Sequence, residues 1–269
     1  SVMNPQERRS LGAHYTSEVN IMKVIKPLFL DELYKEFENA KGNSKKLEKL
    51  HEKIAKLKFL DPACGCGNFL IIAYRELRLL ELEIVKEQIK GSFQRVAFLD
   101  FLLKVDVDQF YGIEIDEFSA QIAQVALWLM DHQMNMKASV EFGEYFVRLP
   151  LKKKGNIEHA NALRVNWHTL IRSSELDYIL GNPPFIGSGM MTSEQKEDMK
   201  LVTKEINRIG QVDFVGCWFI KAANYIQDTS IKVGLVSTNS IIQGDQAIRL
   251  WQHLFTDKQI KIFFAHQTF

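Results

Sequence analysis

A chain of 269 residues with 46% hydrophobic content can bury one large core or two small ones. Its 34 Lys+Arg against 33 Asp+Glu leave a formal charge of +1, without the basic excess by which a protein alone grips a long stretch of nucleic acid; any such grip must come largely from elsewhere. Three cysteines, two of them in the turn Cys64-Gly65-Cys66, argue against a disulfide framework; with no signal-peptide pattern and no apolar run near roughly 18 residues, a soluble cytoplasmic protein that meets no membrane is expected.

The predicted elements fall into two parts: a helical segment, 1–57, and a core, 58–269. Asn20 to Phe37 reads as a helix, with Ile21, Val24, Ile25, Leu28, Phe29 and Leu33 three or four residues apart. Ser44 to Leu57 reads as a second, carrying Leu47, Leu50, Ile54 and Leu57 on one face and lysines on a solvated one. From Lys58 the pattern alternates. Strands are expected at Lys58–Leu60, Phe110–Ile115, Asn156–His159, Asp177–Leu180, Lys232–Thr238 and Ile260–Ala265. Helices are expected at Asn68–Ile89, Glu117–Met134, Ser193–Ile209, Phe214–Gln227 and Gln246–Phe255, with a loop or hairpin insertion over Phe142 to Lys154. This alternation predicts an α/β fold, a mostly parallel sheet with helices on both faces, whose ligands lie beyond the carboxyl ends of the strands. The chain begins Ser1-Val2-Met3 and stops at Phe269 directly after an apolar run, which reads as a piece of a longer protein; a complete chain with a buried last strand is the alternative.

Two stretches carry chemistry. In Phe59-Leu60-Asp61-Pro62-Ala63-Cys64-Gly65-Cys66-Gly67-Asn68-Phe69 an apolar strand runs into a glycine turn and then a helix, whose first amides are open to an anionic group. The phosphate loop Gly-x-x-x-x-Gly-Lys-Ser/Thr and the dinucleotide Gly-x-Gly-x-x-Gly are both absent. Asp61 at the strand tip would repel a pyrophosphate and attract an ammonium or sulfonium. Glu114, at the next strand's end in Tyr111-Gly112-Ile113-Glu114-Ile115-Asp116, can accept two ribose hydroxyls. Either acid alone reads as a surface carboxylate; both at successive strand ends point to a nucleoside-like cofactor. Two cysteines two residues apart, with no partner pair, do not make a metal site.

The second stretch, Asn182-Pro183-Pro184-Phe185, closes the apolar run Tyr178-Ile179-Leu180-Gly181. An amide oxygen and the Pro183 carbonyl can accept both hydrogens of an exocyclic amine, while two prolines stiffen the loop. Phe185 offers an aromatic face to a base and to the positive charge that develops on its nitrogen.

The blocks Gly12-Ala13-His14-Tyr15-Thr16, Asp61 to Phe69, Gly112 to Asp116, Asn161-Ala162-Leu163 and Asn182 to Phe185 occur in the order seen in gamma-class DNA amino-methyltransferases. With Val236-Ser237-Thr238-Asn239-Ser240-Ile241 and Phe264-Ala265-His266-Gln267, nearly the whole chain resembles the methyltransferase core of the single-polypeptide type IIL restriction–modification enzymes, the Mme type. The resemblance implies a Rossmann-like, S-adenosylmethionine-dependent methyltransferase acting on adenine N6 in a specific sequence of double-stranded DNA, with the target base flipped out. It puts Tyr15 and Thr16 over the methionine moiety of the cofactor. Asp61 and the backbone of Ala63, Cys64, Gly65 and Gly67 hold its amino and carboxylate ends, with Phe69 in the same block. Glu114 takes the ribose, Ile115 packs on the adenine, and Asn161 accepts from the adenine amine where many relatives have Asp. Asn182 belongs to both the cofactor and the catalytic sites. Phe185 and, by its position after the last strand, Phe269 stack on the target base. Cys66 stands where Ser is common. In such enzymes a target-recognition domain follows the core and a metal-dependent nuclease domain precedes it; neither is visible in this sequence.

Two other readings stand beside this one. Methyltransferases of protein glutamine or of RNA use a similar Asn-Pro-Pro loop, but the blocks at Gly12 to Thr16 and Ser237 to Ser240 fit DNA enzymes better, and Asn182 favours adenine where cytosine-N4 enzymes more often carry Ser. A non-catalytic cofactor-binding scaffold is the third, against which Asp61, Glu114 and Asn182 are all intact.

Overall fold

Short apolar runs separated by long helices cannot pair as hairpins, so the strands come together in parallel through crossovers. A computed structural model describes residues 16–90, 103–143, 155–204, 206 and 212–266. Tyr15, Phe269 and most of the stretch 142–154 lie outside the described residues. Five strands, β1 (Phe59–Asp61), β2 (Phe110–Glu114), β3 (Asn156–His159), β4 (Tyr178–Gly181) and β5 (Lys232–Leu235), form one parallel sheet in the order β3-β2-β1-β4-β5. The order reverses direction between β1 and β4, which opens a crevice beyond their carboxyl ends.

Side-chain alternation splits the core between the two faces of the sheet. On one face Phe59, Phe110, Tyr178 and Leu180 share a cluster with the N-terminal helices α1 (Glu18–Ile25), α2 (Asp31–Ala40) and α3 (Ser44–Ile54) and with α4 (Asn68–Ile89) and α5 (Glu117–Phe142). Phe59 lies in register with both Phe110 and Tyr178, and the rings stack at 4.9 and 5.3 Å, with Phe29 capping the row at 5.0 Å from Phe59. On the other face Leu60, Ile113 and Ile179 meet Trp167, Trp218 and Tyr225, the last two from α7 (Gly216–Tyr225). The remaining helices are α6 (Ser193–Thr203) and α8 (Gly244–Gln252).

The elements expected from the sequence recur with instructive shifts. The long N-terminal helix is broken into α1 and α2 by a wider turn over Lys26–Leu30, because Pro27 has no N–H to give and the ladder resumes from Asp31 to Lys26 O. Helix α3 is capped by Asn43, whose side chain accepts from Lys46 N at 3.1 Å, and its lysines face solvent as expected. Helix α5 does not stop at Met134. Asn135 and Ala138 continue its buried face, so it runs to Phe142, the start of the expected insertion, and ends on Gly143 at φ +70°. Strands β1 and β4 each end one residue later than expected, so Asp61 and Gly181 belong to the sheet itself. β2 ends at Glu114 and β5 at Leu235.

One element fails. Ile260–Ala265 forms no strand: Ile262, Phe263 and Phe264 are 53%, 58% and 39% exposed. A strand needs a neighbour to take its amides, and among the described residues no strand pairs with this run. Among the described residues no helix is long and apolar enough to cross a membrane.

Candidate functional site

Strand order sets the site. Along the carboxyl edge stand Asn161 beyond β3, Glu114 on β2, Asp61 on β1 and Asn182 beyond β4. Three strand spacings separate the first from the last, about 14 Å, which is the reach of a nucleoside bearing an amino-acid tail.

Asp61 is 1% exposed and accepts the Ala63 N–H at 3.0 Å. Burial, with Glu114 nearby, pushes its carboxyl up to about 8. Its neighbour across the crevice is Gly181, where a Cβ would sit 2.4 Å from Asp61 Oδ1. Only glycine lets the buried acid lie against the strand that delivers Asn182. Behind the acid, Trp218 Nε1 donates to Pro62 O at 3.1 Å and holds the start of the turn.

That turn needs glycine at Gly65 (φ +54°) and Gly67 (φ +87°), both in the left-handed region. Gly67 N donates to Cys64 O, and Cys64 N donates to Ile113 O, which ties the turn to β2. The Glu114 carboxylate receives Gly65 N at 2.8 Å and Asp116 N at 2.9 Å. Two backbone donors therefore aim a carboxylate that retains further acceptor capacity; desolvation still holds its pKa above the ordinary value. Ile115, directly beyond it, is 53% exposed, an apolar side chain open for a flat ring to cover. The side chains of Cys64 and Phe69 point elsewhere: both are buried in the first core cluster, so Cys64 can serve a ligand only through its backbone. Cys66 is half-buried, and burial raises its thiol pKa.

Asn161 follows Ala160, whose N–H donates to Glu114 O at 2.8 Å and draws the post-β3 loop beside the acid. The Asn161 oxygen accepts Leu163 N at 2.9 Å, and its amide nitrogen donates to Asp198 on α6 at 2.8 Å. Lys221 on α7 reaches under the same loop to Ala162 O and Val165 O, both at 2.5 Å, and burial lowers its pKa to about 8.

At the other end Asn182 Nδ2 donates to Thr16 Oγ1 at 2.8 Å. Thr16, the described residue of the Gly12 to Thr16 block, thus touches the Asn-Pro-Pro-Phe loop at the nitrogen end of the Asn182 amide. Pro183 is buried, and half-buried Phe185 packs against two core clusters. The loop is held onward by Phe214 N to Ile186 O at 2.9 Å. Asp213 joins Ser188 N to Ser240 Oγ at 3.3 and 2.6 Å, which brings the Ser237 to Ser240 block alongside. Among the described residues no group of three or more His, Cys, Asp or Glu could hold a metal ion.

The fold therefore gathers Thr16, Asp61, Ala63, Gly65, Gly67, Glu114, Ile115, Asn161, Asn182, Pro183 and Phe185 along one edge. Sequence reading missed Asp198, Asp213, Trp218 and Lys221. Each lies on or beside a helix remote in sequence from what it holds, and none sits in a motif. Only Lys221 left a signal, as the lone base of the otherwise apolar helix α7, whereas Asp198 is one of several charges on α6.

A family model described as the MmeI DNA-methyltransferase domain matches residues 37–269. The chain belongs to that family. It is 43% identical over 275 residues to DNA methyltransferase A of Bacillus subtilis, covering 100% of this chain and 30% of the relative. A putative type II restriction enzyme and methyltransferase of Methanocaldococcus jannaschii is 32% identical over 100 residues, 37% of this chain and 8% of that protein. The solved type IIL restriction–modification enzyme MmeI, in complex with DNA, superposes with a TM-score of 0.91 at 53% identity over 95% of this chain and 34% of that one. The Rossmann-like methyltransferase fold expected from the sequence is thus the fold of this MmeI-type domain. The chain spans about a third of the length of these two longest-matching relatives.

Proposed function

We propose that this MmeI-type domain binds S-adenosylmethionine along the carboxyl edge of its sheet and methylates the exocyclic N6 of an adenine flipped out of a specific sequence in double-stranded DNA. It would do so within a cytoplasmic restriction–modification polypeptide whose target-recognition region, and any nuclease, lie outside this chain. The observation that carries the reading is the placement of a desolvated acid, Asp61, directly against Gly181, the residue that precedes Asn182. A cationic cofactor tail and an amine acceptor are then neighbours, one strand apart.

The residues present fit such a cofactor. Asp61 is a buried acid with no cationic partner among the described residues, the glycine turn leaves backbone open to a carboxylate, and Glu114 is aimed for a ribose. Ile115 offers the adenine an apolar surface. When bound, the cofactor supplies a sulfonium methyl group.

The amine of adenine is a poor nucleophile because its lone pair is conjugated into the ring. Asn182 Oδ1 and Pro183 O accept its two hydrogens, favour a pyramidal nitrogen and turn the lone pair toward the methyl. Thr16 Oγ1 takes the nitrogen end of the Asn182 amide in this arrangement. Phe185 stacks on the base and faces the charge that develops on nitrogen. Rate enhancement then comes from positioning and preorganised dipoles, with no separate general base assigned.

Asn182→Ala tests the reading in a polypeptide of full family length. Cofactor affinity stays within a few-fold of wild type while methyl transfer to duplex DNA is lost; retained transfer would show that the acceptor role is wrong.

A further inference from the structure

Asn161 stands at the carboxyl edge of the sheet as a neutral amide, and the structure places a buried acid behind it. Asp198, on α6, is 3% exposed. Its Oδ2 accepts Asn161 Nδ2 at 2.8 Å, and its Oδ1 accepts Arg164 Nε at 2.5 Å. A side-chain amide can turn over, exchanging donor for acceptor at little cost in shape. A carboxylate has only acceptors, so it decides which way this amide turns. The nitrogen must face Asp198, and the oxygen then faces the loop, where it takes Leu163 N–H. A carbonyl oxygen has a second lone pair for another donor. The loop that carries it is otherwise fixed by Lys221 and by Trp167 Nε1, which donates to Ala162 O at 2.9 Å.

We propose that Asp198 is a positioning residue for the purine end of the cofactor site. By fixing the Asn161 amide it presents an acceptor to a 6-amino purine and rejects a 6-oxo purine. The inference rests on the cofactor reading above, with Asn161 at the purine end.

The partnership with Arg164 makes the consequence of Asp198→Asn specific. Arg164 Nε requires an oxygen, so the new amide would turn its nitrogen toward Asn161. Asn161 would then flip to meet that donor, giving up the Leu163 N–H, and its donor end would take the place of the acceptor. Exchanging the two groups, Asn161→Asp with Asp198→Asn, restores an oxygen at the loop, because the carboxylate introduced at position 161 can accept from the new amide.

The test is calorimetric titration of the protein with S-adenosylhomocysteine and S-inosylhomocysteine, which differ in a 6-amino against a 6-oxo group and, with it, in an acceptor against an N–H donor at N1. The Asp198 variants separate the two, since only the position-6 contact follows the Asn161 amide. Wild type should prefer the adenosyl compound by about tenfold or more, the worth of one hydrogen bond exchanged for a clash of like acceptors. Asp198→Asn should abolish or invert that ratio, and the double exchange should restore it. Arg164→Gln, which leaves the Asp198–Asn161 bond in place, should keep it. A ratio unchanged in Asp198→Asn overturns the proposal, as does a wild type that binds both compounds equally. A ratio lost in all three variants overturns it in favour of general loosening of the loop. Should Asp198→Asn fail to fold, the double exchange decides alone, by keeping the preference or losing it. Binding of neither compound by folded wild type overturns the cofactor reading itself.

Discussion

Asp61 shows how a single side chain can be unfavourable for the fold and useful for the site. Its carboxyl, ordinarily near 3.8, is pushed up to about 8 by burial. In the unfolded chain the proton leaves near the ordinary value, so between these pH values the folded state binds more protons than the unfolded one. The Asp61 contribution to stability is therefore full below about 4 and is lost as pH rises to about 8. Without cofactor, wild type should lose Tm relative to Asp61→Asn as pH rises from about 5 to about 8; parallel Tm curves for the two proteins would refute the assignment. A bound ammonium would offset the desolvation and pull the pKa down, so cofactor affinity should grow over the same interval. At Glu114, whose two backbone donors pre-aim it, Glu114→Ala should weaken S-adenosylmethionine binding by about 2 kcal/mol or more, the worth of two charge-assisted hydrogen bonds. Unchanged affinity in calorimetry would sink the ribose assignment.

Among the elements, α4 and α5 are the pair that must not move, since the glycine turn feeds one and the Glu114 strand end feeds the other. They are joined by a buried polar network. Arg78, fully buried, donates to Tyr74 Oη, Asp131 Oδ1 and Asn135 Oδ1 at 2.8, 3.2 and 3.0 Å. Glu81, 3.3 Å from its Nε, also meets His51 Nε2 at 3.0 Å and the amides of Lys104 and Val105. Removing one member of such a network leaves an uncompensated charge in a dry interior. Arg78→Ala should cost about 3 kcal/mol or more in denaturant unfolding, several times the loss from breaking the exposed Lys41–Glu38 pair. Equal losses would show that the network is hydrated. At this scale the sequence was a good guide to which elements exist and a poorer one to where they stop. Amphipathic spacing located α3, α4 and β3 within three residues at either end, whereas the Pro27 break and the continuation of α5 depend on which groups find partners after packing.

For the molecule as a whole, a charge of +1 spread over 269 residues suits a catalytic core better than a DNA clamp. The chain spans about a third of the length of the two relatives that match nearly all of it. The sequence by itself determined the family, whose model matches residues 37–269, and it marked Asp61, the glycine turn, Glu114 and Asn182 at places where a strand must end. It also determined the parallel sheet, through the alternation of apolar runs with helices. Tertiary structure alone decided which way the amides point. Thr16 meets Asn182 across 166 positions of chain, and Asp198 orients Asn161 across 37. It also left Ile260–Ala265 without a partner strand among the described residues, because a strand, unlike a helix, takes its hydrogen bonds from a neighbour that its own residues do not specify.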